Sequence, residues 1–148
     1  MSDLLARLES DLVVARKAQD KPRTLLLSTT LADIKNRRIE LQRLPTDEDV
    51  VEVLRKGIKK RRESIELYAK GGRQDLVAKE RTEVESLEQY LPPAVDPDEL
   101  RAAVRAAIAA GATNLGAVMG KVLPQFKGRA EGSTVSAIAR EELGQPQR

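Results

Sequence analysis

Three stretches of this chain gather residue types that could do chemistry. The first is Arg55, Lys56, Lys59, Lys60, Arg61 and Arg62, six basic residues in eight positions. Such a run on one helix can bind a polyanion or an acidic partner. The second is Gly116 and Gly120, four residues apart within helical spacing. Glycine inside a helix costs about 1 kcal/mol against alanine. The pair leaves a bare strip where another helix or a ligand can come close to the backbone. The third runs from Pro124 to Gly132 and holds Lys127, Gly128, Arg129 and Gly132, with Lys121 just before it. Glycines let a phosphate approach the main chain while Lys and Arg neutralise it. The stretch lacks the GxxxxGK[ST] pattern of a nucleotide-binding loop. Each feature also has a plainer reading: a helical hairpin that neutralises its own charge, helix packing, and a connecting turn.

Other chemistry is excluded by composition. The 148 residues contain no histidine and no cysteine. That removes imidazole catalysis, thiolate nucleophiles, disulfides and zinc-finger ligation. Tryptophan is absent, with one Phe and two Tyr, so an aromatic RNA-stacking face is not expected. The carboxylates alternate with Lys and Arg as solvated helix faces do, and Ser28, Thr29 and Thr30 have no neighbouring base. We expect no catalytic residues, no metal and no cofactor. Charged residues make up 33% and the net charge is +3, which describes a soluble globular chain. No apolar run approaches the roughly 20 residues of a membrane span. The opening Met-Ser-Asp-Leu-Leu lacks a secretory pattern, and a cytoplasmic protein without membrane contact is expected.

The elements that must carry these residues are all helical. Leu4, Leu8 and Leu12 repeat at i, i+4 and i+8, Ser2 caps, and the first helix is expected to run to about Gln19. Asp20-Lys-Pro22 opens a second helix with Leu26, Leu27, Leu31, Ile34 and Leu41 inward, stopped by Pro45. Thr46 and the acids after it start a third, carrying Val50, Val51, Leu54, Ile58, Ile65 and Tyr68 and ending at Gly71-Gly72. A fourth carries Leu76, Val77, Val84, Leu87 and Leu91. Folding the chain about the glycine pair brings Arg55 near Glu88, Lys59 near Glu83 or Glu85, and Arg62 near Glu80. Pro92-Pro93 then breaks the chain, because a proline pair cannot continue a helix. Asp96-Pro97 starts a fifth helix with Leu100, Val104 and Ile108 buried. Thr113 is read as the cap of a sixth, with Leu115, Val118, Met119, Val122 and Leu123. A seventh near 133–143 turns Val135, Ile138 and Ala139 inward. The reading is an all-α, multihelical chain: an amino-terminal four-helix part over 1–92, a hinge at 93–96, and a smaller three-helix bundle over 97–148.

A set of motifs occurs in a fixed order along this frame: Thr46-Asp-Glu-Asp49, Ile58 to Ile65, Gly71-Gly72-Arg73-Gln-Asp-Leu76, Tyr90-Leu-Pro92, Met119-Gly120, Lys127-Gly128-Arg129-Ala-Glu-Gly132 and Val135-Ser136. In these the chain resembles the YqeY family over nearly its whole length. That family is similar to the carboxy-terminal tail of the B subunit of the glutamyl/aspartyl-tRNA amidotransferase. The resemblance implies a helical amino-terminal part and a three-helix part. It also implies a tRNA-binding appendage rather than an enzyme. Kinase and transamidation chemistry lie in other domains of that complex, so a label of carbon–nitrogen ligase with glutamine as amido donor is inherited wording. Lys127, Gly128, Arg129 and Gly132 match the family's glycine-basic stretch. Two roles follow: a tRNA-binding or tRNA-metabolism accessory protein, or a docking module for a larger protein partner. An unpaired positive patch favours the first, and an exposed apolar face around Gly116 and Gly120 favours the second.

Overall fold

The computed structural model describes residues 2–144. Among the described residues the regular structure is helical throughout: α1 Asp3–Lys17, α2 Lys21–Leu41, α3 Asp47–Lys70, α4 Gln74–Glu88, α5 Pro97–Ala109, α6 Leu115–Val122 and α7 Gly132–Glu142, with a 3-10 turn at Leu123–Phe126 after α6. The chain divides between Leu91 and Pro92 into two compact units.

In the amino-terminal unit local capping sets where helices begin. The Ser2 hydroxyl oxygen accepts the Leu5 N–H at 3.0 Å. Asp20 accepts the Arg23 N–H at 3.2 Å. Thr46 and Asp49 form a reciprocal capping box, satisfying two N–H groups that the first turn of α3 cannot pair internally. Two helix ends differ from expectation. α1 stops at Lys17, because Gln19 takes a left-handed conformation with φ 57°. α2 stops at Leu41, ahead of Pro45, because Gln42 is left-handed at φ 56° and returns its N–H to the Arg38 carbonyl.

α1 packs along α2, α3 along α4, and α2 and α1 against α3. Leu8, Leu27, Val50, Leu54 and Leu87 form the fully enclosed centre. Asp47, at the start of α3, ties down the start of α1: its carboxylate accepts the Ser2 hydroxyl and the Leu4 N–H at 3.1 Å. Past the end of α4, Tyr90 is buried in the same core.

The carboxy-terminal unit is a three-helix cluster in which α5, α6 and α7 each touch the other two. Val104, Val118, Val122, Val135 and Ala139 are fully buried. Phe126, the sole Phe of the sequence, is delivered inward by the 3-10 turn, an element absent from the periodicity reading. The cap of α6 is Asn114, whose side chain accepts the Ala117 N–H at 2.9 Å. Thr113 was expected there; Asn114 is the residue with extended backbone next to the first turn. On the outside of the cluster, Arg101 and Arg105 of α5 both grip Glu142 of α7, at 2.5 and 2.8 Å. The hydrogen bonds from Arg105 and then Arg101 hold the Glu142 carboxyl down at about 2.

Candidate functional site: the exposed face of α6 and the loop after it

The basic run lies on α3 and is only partly neutralised by α4. Arg61 Nε donates to Glu83 at 3.2 Å and its Nη1 to the Gly57 carbonyl at 3.1 Å. Arg62 pairs with Glu88 at 2.5 Å. The hairpin therefore forms with a partner other than the one expected for Arg62. Arg62 takes Glu88, and Glu80 instead sits partly buried beside Glu83, its carboxyl pushed up by burial first and by that neighbour second. A guanidinium on a three-carbon stem reaches about a helical turn either way, so hairpin register alone does not assign its partner. Lys56, Lys59 and Lys60 are exposed and make no ion pair among the described residues. The expected contact of Lys59 with Glu83 or Glu85 does not form. Lys56 and Lys60 border a groove of about 180 Å³ shared with Arg37, Asp33 and Glu40, so its local field is of mixed sign.

The glycine pair sits on the exposed side of α6. Gly116, Ala117, Gly120 and Lys121 are exposed, while Val118 and Val122 face the core. A methyl group added to Gly120 would meet nothing within 4 Å, and one on Gly116 would meet only Asn114 Oδ1 at an ordinary 3.5 Å. Packing of another helix of the carboxy-terminal unit therefore does not explain the strip. Lys121, on the same face, has no ion pair among the described residues. Leu123, 37% exposed, extends the apolar part of the surface.

The loop from Lys127 to Glu131 is a built turn. Gly128 takes φ 76°, a left-handed conformation that glycine adopts without penalty. The N–H groups of Arg129 and Ala130 both return to the Phe126 carbonyl, at 2.8 and 3.1 Å. Arg129 lies over the Phe126 ring at 5.6 Å from its centroid and faces Glu99 of α5 at 3.7 Å. Both ends of that pair are half-exposed, so it contributes about 0–1 kcal/mol. It nevertheless offsets the positive charge that the sequence places in the loop. Lys127 is exposed. Gly132 is the exposed first residue of α7, with open space around it. The structure thus brings Gly116, Gly120 and Lys121 onto one face. Lys127, Gly128, Arg129 and Gly132 follow in a separate turn, across the 3-10 segment.

Two polar constellations escaped the residue-by-residue reading. One is the Arg101–Arg105–Glu142 clasp described above; oppositely charged residues some 40 positions apart carry no local signal. The other surrounds Tyr90. Its hydroxyl donates to the Asp11 carboxylate and accepts from Arg23 Nη2 at 3.0 Å, and the Arg7 guanidinium lies 4.7 Å above the ring. Burial first, and the bond to Asp11 second, push the phenol up to about 12. Only the motif Tyr90-Leu-Pro92 pointed to this residue. Among the described residues there is no group of three or more metal-ligating side chains. No helix among them is long and apolar enough to cross a membrane.

Comparison with known proteins identifies a family for the sequence. A family model described as Yqey-like protein matches residues 5–143. The chain is 32% identical over 147 residues to "Altered inheritance of mitochondria protein 41, mitochondrial" of Pyrenophora tritici-repentis, covering 95% of this chain and 81% of that protein. It is 36% identical over 104 residues to the protein of the same name in Eremothecium gossypii, covering 68% of this chain and 57% of the relative. An uncharacterized protein of Schizosaccharomyces pombe is 34% identical over 90 residues, 61% of this chain and 73% of its own length. The names of the first two overturn the cytoplasmic expectation. That expectation rested on composition and on the opening residues, and a water-soluble helical domain has the same composition on either side of an organelle membrane. With nearly all of its length matched and both helical units in place, the chain belongs to the YqeY-like family.

Proposed function

We propose that this chain is a non-catalytic, tRNA-binding or tRNA-metabolism accessory protein, and that its RNA contact is the exposed face of α6 continued by the basic turn after it. One observation carries the reading. Gly116 and Gly120 leave the helix backbone open to solvent, with the exposed, unpaired Lys121 beside them. A sugar-phosphate backbone needs both close approach and positive charge. Lys127 and the left-handed Gly128 extend the same chemistry. Arg129 contributes less, because Glu99 faces it. α3 is the weaker site, since Glu83 and Glu88 neutralise Arg61 and Arg62 and acids border Lys56 and Lys60.

The test is tRNA affinity as a function of salt. Each lost phosphate contact should flatten the log-affinity against log-salt slope by about 0.7–0.9. Lys121→Ala with Lys127→Ala is expected to reduce it by roughly 1–2, and Lys59→Ala with Lys60→Ala to leave it nearly unchanged. Gly120→Leu should weaken binding at every salt concentration by blocking the approach. If the wild type shows no salt-dependent tRNA binding, or the α3 pair is the more damaging, the reading fails. The exposure of Ala117 and Leu123 along the same strip favours protein docking as the second reading. Under it, Gly120→Leu abolishes capture of a protein partner while tRNA is not bound.

A further inference from the structure

We propose that Tyr90 is a clasp that fixes where the chain leaves the amino-terminal unit, so that free movement of the backbone begins only beyond Leu91. Three groups from two helices converge on this one side chain. Asp11 of α1 accepts its hydroxyl proton. Arg23 of α2 donates to the same oxygen at 3.0 Å and lies 3.8 Å from Asp11. Arg7 of α1 covers the ring face at 4.7 Å, a cation–π arrangement. Tyr90 itself is 4% exposed, although α4 has already ended at Glu88. A residue beyond a helix end, two positions ahead of a proline pair, would ordinarily be frayed. Here the segment is held to the core by a buried ring, charge-assisted hydrogen bonds and a stacked cation. Three residues later Pro93 is exposed, as is Ala94, and nothing comparable restrains them. The packing thus falls away within three residues of one tyrosine.

Native-state chymotrypsin cleavage tests this on the intact protein. The enzyme cuts after an aromatic residue at position 90 only when the end of α4 opens. It cuts after Tyr68, in α3, only when the helical hairpin unfolds. When opening is fast, cleavage tracks the open population. Tyr90→Phe keeps the ring and the cleavage site but removes the hydroxyl. Asp11→Asn leaves the tyrosine and weakens its acceptor. Each is expected to raise cleavage at 90–91 about tenfold, the equivalent of one charge-assisted hydrogen bond, with cleavage after Tyr68 unchanged. An equal rise at both sites would mean that Tyr90 serves only global stability, and the clasp is rejected. No rise in either variant, or a rise in Tyr90→Phe without one in Asp11→Asn, also overturns it.

Discussion

Replacing Asp49 by asparagine should expose how much of the amino-terminal unit rests on one carboxylate. Asp49 is 8% exposed and accepts four hydrogen bonds. Thr46 supplies its N–H at 2.8 Å and its hydroxyl at 3.0 Å. Arg43 supplies two guanidinium N–H groups, at 2.6 and 3.2 Å. The capping component is worth about 1 kcal/mol. A hydrogen bond to a charged group contributes about 1.5–3 kcal/mol, taken at its lower end because Arg43 is 50% exposed. Asparagine keeps one acceptor oxygen for Thr46, so the net loss for Asp49→Asn is roughly 2 kcal/mol. In a unit of this size that lowers Tm by roughly 8–16 °C. The hydrogen bond from Arg43, foremost, holds the Asp49 carboxyl well below the usual range. Its folded pKa therefore lies below the unfolded one, about 3.9. The unfolded chain binds the proton more readily, and stability rises with pH through that window. The stabilisation is complete above about pH 5 and is lost progressively below about pH 4. Urea unfolding of wild type and variant, followed by far-UV circular dichroism from pH 6 to pH 2.5, measures the gap. It should be widest at pH 6 and narrow toward pH 2.5. A gap below about 0.5 kcal/mol, or one that stays constant with pH, would refute the assignment.

Two further outcomes are expected. Proteinase K should cleave between Pro92 and Asp98 before it cuts within either helical unit, because Leu91 packs on one core and Val95 on the other, leaving Pro92, Pro93 and Ala94 between them; early cleavage confined to 50–68 would contradict this. Glu142→Gln should speed amide exchange in α7 at pH 7 and have progressively less effect as pH falls from about 4 toward 2, since the carboxyl titrates at about 2 when folded and its contribution is lost as it protonates; an effect equal at pH 7 and pH 3 would be inconsistent with the clasp to Arg101 and Arg105.

Helix starts were legible in the sequence because capping acts over three or four residues. Ser2, Asp20, Thr46 and Asp96 each cap within their own first turn, and side chain and N–H are adjacent whatever the rest of the chain does. The inward stripes were legible for the same reason: 3.6-residue spacing is a local property, and Leu54, Ile58, Val104 and Val135 lie buried where it placed them. Helix ends at Gln19 and Gln42 were not, because a left-handed glutamine has no signature comparable to glycine.

The candidate site divides along the same line. Composition and spacing marked Gly116, Gly120 and Lys121 and the turn from Lys127 to Gly132 as places where a phosphate could approach. They did not determine whether α6 turned its glycines toward a neighbouring helix or toward solvent, because a bare strip reads identically in both cases. Tertiary packing decided it, by spending Val118 and Val122 on the core and leaving the opposite face of α6 open. Charge behaved in the same way. The sequence placed Arg129 in a basic loop and Arg62 in a basic run, and only the folded chain brought Glu99 to one and Glu88 to the other. Coulomb interaction depends on distance in space, and between residues 26 or 30 positions apart that distance is set by how the helices pack.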